Sequence, residues 1–89
     1  MSVTEQIQVT ADPSWESIRE LPPSAKLVAK ILEYEGTQTQ QQLASETLLP
    51  PRTVRYALTR LEQRGVVESR FSFTDARKRL YTLRIDDSR

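Results

Sequence analysis

The feature that most constrains this chain is a change of hydrophobic period at Gly65. Ahead of it, Val54, Ala57, Leu58 and Leu61 recur at i, i+3, i+4 and i+7, which places them on one face of a helix. Pro51 can open that helix, because the amide hydrogen it lacks is one that a first helical residue does not use within the helix. Beyond Gly65 the pattern becomes extended: Val66 to Phe73, a polar stretch Thr74 to Arg79, then Leu80 to Ile85. Two strands around a charged loop predict a β-hairpin. A helix that stops at a glycine and runs directly into a hairpin leaves both with an apolar side to cover, so the rest of the chain must supply the cover.

The upstream sequence supplies it with helices. Ser24 is the expected cap of a helix whose Leu27, Val28, Ile31 and Leu32 form one buried face, and Gly36 is its expected left-handed stop. Thr39 caps a short helix over Gln40 to Thr47 with Leu43 and Ala44 inward, and Leu48 and Leu49 are expected to pack in the turn that follows. Further back, Asp12 and Pro13 fit the N-cap and first position of a short helix carrying Trp15, Ile18 and Leu21, which Pro22 and Pro23 stop. Trp15 and Tyr34 are most economically buried aromatics that join this helix to the core. The predicted division is an arm with a short helix over residues 1–22, one folded unit over 23–85, and a frayed tail over 86–89. A chain of 89 residues sustains a single modest core.

Residue inventory narrows the chemistry. Without cysteine or histidine there is no disulfide framework, no thiolate nucleophile or thiolate metal site, and no imidazole ligand or base. Gly36 and Gly65 are the only glycines, so no glycine-rich phosphate loop can form. Neither an enzyme nor a cofactor is expected. No apolar run approaches the ~20 residues that cross a bilayer, and MSVTEQIQVT lacks the layout of a secretory signal, so a cytoplasmic protein without a membrane partner is expected. The net charge of +1 is uninformative, but its distribution is not. Residues 1–36 carry a net −3, whereas Arg52 to Arg84 hold nine bases against three acids, a net +6. A concentrated basic surface is what phosphate binding requires, since each neutralised phosphate releases counterions.

Helix, short helix, tight turn, longer helix and hairpin is the order of a winged helix-turn-helix. The expected fold is therefore α+β and mainly α, a three-helix core with a two-stranded wing and an extra short N-terminal helix. Leu27 to Leu83 resembles the DNA-binding domain of MarR-type and related archaeal and bacterial transcriptional regulators. The resemblance is carried by Gln42-Leu43-Ala44, by Arg52-Thr53-Val54-Arg55-Tyr56-Ala57-Leu58-Thr59-Arg60-Leu61-Glu62, by Gly65-Val66-Val67 and by Asp75-Ala76-Arg77. With the apolar stripe turned inward, the helix over 51–64 presents Arg52, Arg55, Tyr56, Thr59 and Arg60 outward. Its first turn is where such helices meet base edges, which makes Arg52, Thr53, Arg55 and Tyr56 candidates for major-groove contact. In the family that it resembles, an acidic residue two positions before an arginine orients that arginine toward the minor groove. Asp75 and Arg77 fit this pattern, a carboxylate fork would hold the guanidinium, and Lys78 and Arg79 would add phosphate contacts.

At the start of the short helix, Gln40 and its neighbours Gln38, Gln41 and Gln42 could hold a phosphate with their amides, although a solvated helix surface accounts for them equally well. The expected function is occupancy of an operator in double-stranded DNA by a sequence-specific regulator. A homodimer is expected, held by the apolar residues Val3, Ile7, Val9, Trp15, Ile18 and Leu21. Members of the MarR type build their dimer and ligand pocket from long helices on both sides of this unit. Here about 22 residues precede Pro23 and four follow Ile85, so no small-molecule effector is evident. Two alternatives stay open. A protein-interaction module of a transcription or replication assembly would need an apolar patch on the outward helix face, which instead reads Arg52, Arg55, Tyr56, Thr59, Arg60 and Gln63. A structured-RNA binder is separated from a duplex-DNA binder only by the groove-compatible helix.

Overall fold

The computed structural model describes residues 14–85. The expected cap at Asp12 and Pro13, the apolar residues Val3, Ile7 and Val9, and the tail 86–89 lie outside the described residues. Three α-helices and a small antiparallel sheet follow one another: α1 (Pro23–Glu35), β1 (Gln38–Thr39), α2 (Gln40–Thr47), α3 (Pro51–Gln63), β2 (Val67–Phe71) and β3 (Arg79–Leu83).

The third helix organises the core. Pro50 is its N-cap and Pro51 its first residue, and the whole predicted stripe, Val54, Ala57, Leu58 and Leu61, is buried. Its exit closes in the two-bond Schellman pattern: the Gly65 amide donates to the Glu62 carbonyl and the Val66 amide to the Leu61 carbonyl, each at 3.0 Å. Gly65 has φ of 73°, a conformation that a side chain disfavours. Leu61 and Val66, the two residues that this turn brings together, are both fully buried.

The first helix buries Ala25, Val28, Ala29 and Leu32. The inward face is thus set by the alanines and not by Leu27, which is exposed, or Ile31, which is only partly buried. Its N-cap is Pro22, with Pro23 at the first position, and Ser24 lies inside the helix. Gly36 ends it at φ 84° and ψ −156°, a glycine region distinct from the left-handed helical one expected. Tyr34, expected inside, is 86% exposed, because its place on α1 lies opposite the alanine face.

Thr39 caps α2 reciprocally: its Oγ1 accepts the Gln42 amide at 3.1 Å while Gln42 Oε1 accepts the Thr39 amide at 2.8 Å. Leu43 is buried and Ala44 and Leu49 pack against the core. Leu48 does not: it is 88% exposed and occupies the left-handed region, φ 63° and ψ 19°, where it reverses the chain between α2 and α3. Ahead of α1, the expected N-terminal helix is a single 3-10 turn, Trp15–Ile18. Ile18 and Leu21 are sealed in the chain's own core, which removes them from the expected dimer contact. Trp15 is half-buried beneath the Lys30 ammonium, 4.6 Å from its ring centroid. Arg64 ties this turn to the end of α3 by donating to the Ser17 carbonyl at 2.5 Å and pairing with Glu20 at 3.7 Å.

The expected two-stranded wing is the hairpin of β2 and β3, and the short β1 joins it to make a three-stranded sheet in the order β1-β3-β2. Gln38 and Thr39 pair with Tyr81 and Leu80, and β2 pairs with β3 from Val67↔Leu83 to Phe71↔Arg79. A two-residue strand is too short to carry a period, which is why alternation did not reveal it. No helix among the described residues is long and apolar enough to cross a membrane.

The Schellman turn yields a stability prediction. Leu61→Ala is expected to cost about 2–5 kcal/mol through the cavity it leaves. Gly65→Ala should cost about 1–2 kcal/mol through its positive φ alone, and the exposed Tyr34→Ala close to nothing. Urea midpoints check the ranking, and a Gly65→Ala midpoint equal to the parent's contradicts it.

Candidate nucleic-acid interface

The second and third helices and the wing meet around one open groove. It measures about 360 Å³ and is lined by Thr39, Gln40 and Gln41 at the start of α2, Arg55 on α3, and Arg77, Lys78, Arg79 and Tyr81 on the wing. Five of the residues singled out from sequence, Gln40, Arg55, Arg77, Lys78 and Arg79, are therefore brought together from three separate elements. Four of them are cations and none of the lining residues is acidic, so the groove is suited to an anion. Gln41, named with Gln40 as a possible phosphate holder, also lines it, and Thr39 and Tyr81 complete the lining without having been singled out as contacts. The signal for Tyr81 lay in strand alternation, which turns it to the inward face with Leu83.

The remaining candidates, Asp75 on the wing apart, form a second surface on α3. Arg52, Tyr56 and Thr59 are exposed, and Thr53 and Arg60 are half-buried. Arg60 is held by its neighbour one turn back: Nη1 donates to the Tyr56 hydroxyl at 2.9 Å and the guanidinium carbon lies 5.6 Å from the ring centroid. The Tyr56 oxygen acts there as an acceptor, which leaves its proton for an outside partner. Thr59 donates its hydroxyl to the Arg55 carbonyl at 3.0 Å, so toward another molecule it can only accept.

One sequence expectation is corrected and another gains a detail. The Gln40 amide donates one of its two hydrogens to the Pro51 carbonyl at 3.2 Å, bridging α2 to the start of α3, and keeps the other. At the wing tip, Asp75 holds the backbone of Arg77 before its side chain: Oδ1 accepts the Arg77 amide at 3.0 Å and lies 3.6 Å from Nε. One long contact to a guanidinium that is almost wholly exposed is not the expected fork. The tip is shaped locally instead, with Ser72 Oγ accepting the Thr74 and Asp75 amides at 3.2 and 3.4 Å and the Ser72 amide donating to Lys78 at 2.9 Å.

The basic run from Arg52 to Arg84 divides in the same way. Arg64 pairs with Glu20 and Arg84 with Glu68, so those two cations serve the fold. Arg52, Arg55, Lys78 and Arg79 have no acidic partner among the described residues. Those residues also contain no cluster of acidic side chains that could hold a metal ion.

The fold has parallels among solved structures. Reduced AbfR bound to DNA is 28% identical, with 76% of this chain and 51% of that one covered at a TM-score of 0.67. BpsR of Bordetella bronchiseptica, whose DNA binding is regulated by 6-hydroxynicotinic acid, is 25% identical over 78% of this chain and 54% of its own, at a TM-score of 0.66. PcaV of Streptomyces coelicolor, solved with its natural ligand, is 21% identical over 90% and 58%, at 0.69, and speaks for the fold alone. This chain spans about half the length of the solved structures it matches. A search of curated proteins finds no match. The MarR family model matches residues 20–78, covering α1 to α3, β2 and the wing tip, and on that match the chain belongs to the MarR family.

Proposed function

We propose that the chain is the DNA-binding part of a sequence-specific transcriptional regulator that acts in the cytoplasm by occupying an operator, with residues 23–85 as the binding unit. The observation that carries this reading is the convergence of Arg55, Arg77, Lys78 and Arg79 on one groove beside the exposed face of α3. In this arrangement Arg52, Thr53, Arg55 and Tyr56 enter the major groove, where arginine donates bidentately to guanine O6 and N7. Thr59 and Arg60 lie further along the same helix, toward its exit from the groove. Arg77 reaches the minor groove from the wing, and Lys78 and Arg79 meet phosphates. Gln40 holds α2 and α3 in register with one amide hydrogen on Pro51 and offers the other to a phosphate. The similarity to AbfR, a structure bound to DNA, supports this reading. The outward face of α3, polar and charged throughout, argues against an apolar protein-docking surface.

Binding to duplex DNA is expected to weaken with salt. About five phosphates per protomer correspond to a log–log slope of roughly −4 to −5. Fluorescence anisotropy on duplex DNA and matched RNA at several salt concentrations measures it. A slope near zero, or preference for the RNA, overturns the proposal.

Arg52→Ala and Arg55→Ala are expected to cost about 1–3 kcal/mol chiefly at preferred bases, whereas Arg77→Ala should weaken binding at every sequence. Competition between specific and scrambled duplexes separates the two patterns. Equal, sequence-blind losses from all three would remove α3 as the reading element.

We also propose a homodimer on the operator, because a single winged helix contacts too few base pairs to find a site among a genome's competitors. Sedimentation of the full chain with an inverted-repeat duplex is expected to give two chains per duplex, and one chain at saturation rejects this.

A further inference from the structure

We propose that Phe71 is a positioning residue for this interface, holding the Arg79 guanidinium at the groove without neutralising it. The inference rests on the DNA-binding reading above and adds a residue to it. Phe71 is 61% exposed at the end of β2 and takes no part in the core. In register it stands directly opposite Arg79, and cross-strand partners project to the same side of a sheet. That side carries Val67 and Tyr81 into the core, so Phe71 and Arg79 sit where it runs out past the core's edge. There the Arg79 guanidinium carbon lies 5.2 Å from the Phe71 ring centroid, within the range of a cation–π contact, while Arg79 also lines the groove with Arg55.

The choice of an aromatic partner has a physical consequence. On the same hairpin Arg84 is held by a carboxylate, that of Glu68. A carboxylate restrains an arginine but cancels its charge and occupies its N–H groups. A phenyl ring restrains it through the flat face of the guanidinium and leaves the five N–H donors around its edge free for phosphate oxygens. Arg79 has no acidic partner among the described residues, so its full charge stays available at the groove. The ring reduces the rotamer freedom that a long side chain loses on docking, which is the part of the binding cost that a preorganised contact avoids. An exposed phenylalanine on a hairpin edge is otherwise an unproductive choice, since it packs against nothing in the core.

The test is a double-mutant cycle on the full chain, read by anisotropy on one duplex. Phe71→Leu is expected to weaken binding about two- to fivefold, the worth of an exposed cation–π contact. Phe71→Tyr should restore parental affinity, because its ring presents the same face. On an Arg79→Ala background, Phe71→Leu should cause no further loss. In the free protein, the ring-current shift of the Arg79 side-chain protons should vanish in Phe71→Leu and persist in Phe71→Tyr, with melting within a few degrees of the parent for both. Parental affinity in Phe71→Leu overturns the inference and leaves DNA binding intact, and so does an equal loss with and without Arg79. A parent chain that binds no duplex overturns the DNA-binding reading and this inference with it.

Discussion

Everything in this fold depends on which side of α3 is dry. Val54, Ala57, Leu58 and Leu61 are buried together, and a helix of 13 residues with one such stripe has no freedom to rotate. The stripe therefore determines that Arg52, Arg55 and Tyr56 meet solvent, and the Schellman turn at Gly65 determines where the wing departs. Folding energy and recognition geometry come from opposite faces of one element. Replacing a buried stripe residue would disturb both, whereas replacing an outward arginine would leave the core untouched.

The charge on this molecule is sorted rather than merely concentrated. Arg64 and Arg84 are spent internally, fastening the N-terminal turn and the two long strands. Arg60 is steered by the Tyr56 hydroxyl and ring and Arg79 by the Phe71 ring, while at Arg77 Asp75 holds the backbone. These pairs are exposed, and exposed pairs add little to stability. Their role is to limit where each cation can be, a property of geometry that net charge does not reveal.

Much of the architecture was legible because long periodic segments declare themselves. The stripe of α3, the cap at Thr39 and the hairpin after Gly65 all emerge where the residue pattern places them. Misreadings fell where a local rule met a competing one. Hydrophobicity points Tyr34, Leu27 and Leu48 inward, yet α1 buries the face of Ala25, Val28, Ala29 and Leu32, and Leu48 takes up the left-handed reversal after α2. Within the described residues the N-terminal helix is a 3-10 turn, Trp15–Ile18, and Ile18 and Leu21 both face the core. At the interface, the residue types were readable but not their company: nothing in the sequence says that Gln40 bonds to Pro51, or that Phe71 lies across from Arg79.

The short strand β1 ends at Thr39, and Thr39 is also the cap of α2. One residue thus belongs to the sheet that forms the wing and to the helix that carries α3, and the Thr37 and Thr82 hydroxyls bond across the same junction at 2.9 Å. The helical side and the wing side of the groove are consequently joined through a shared residue. On the proposed reading, the spacing between them is set at this junction, so the shape of a duplex bears on the fit beside the identity of its bases.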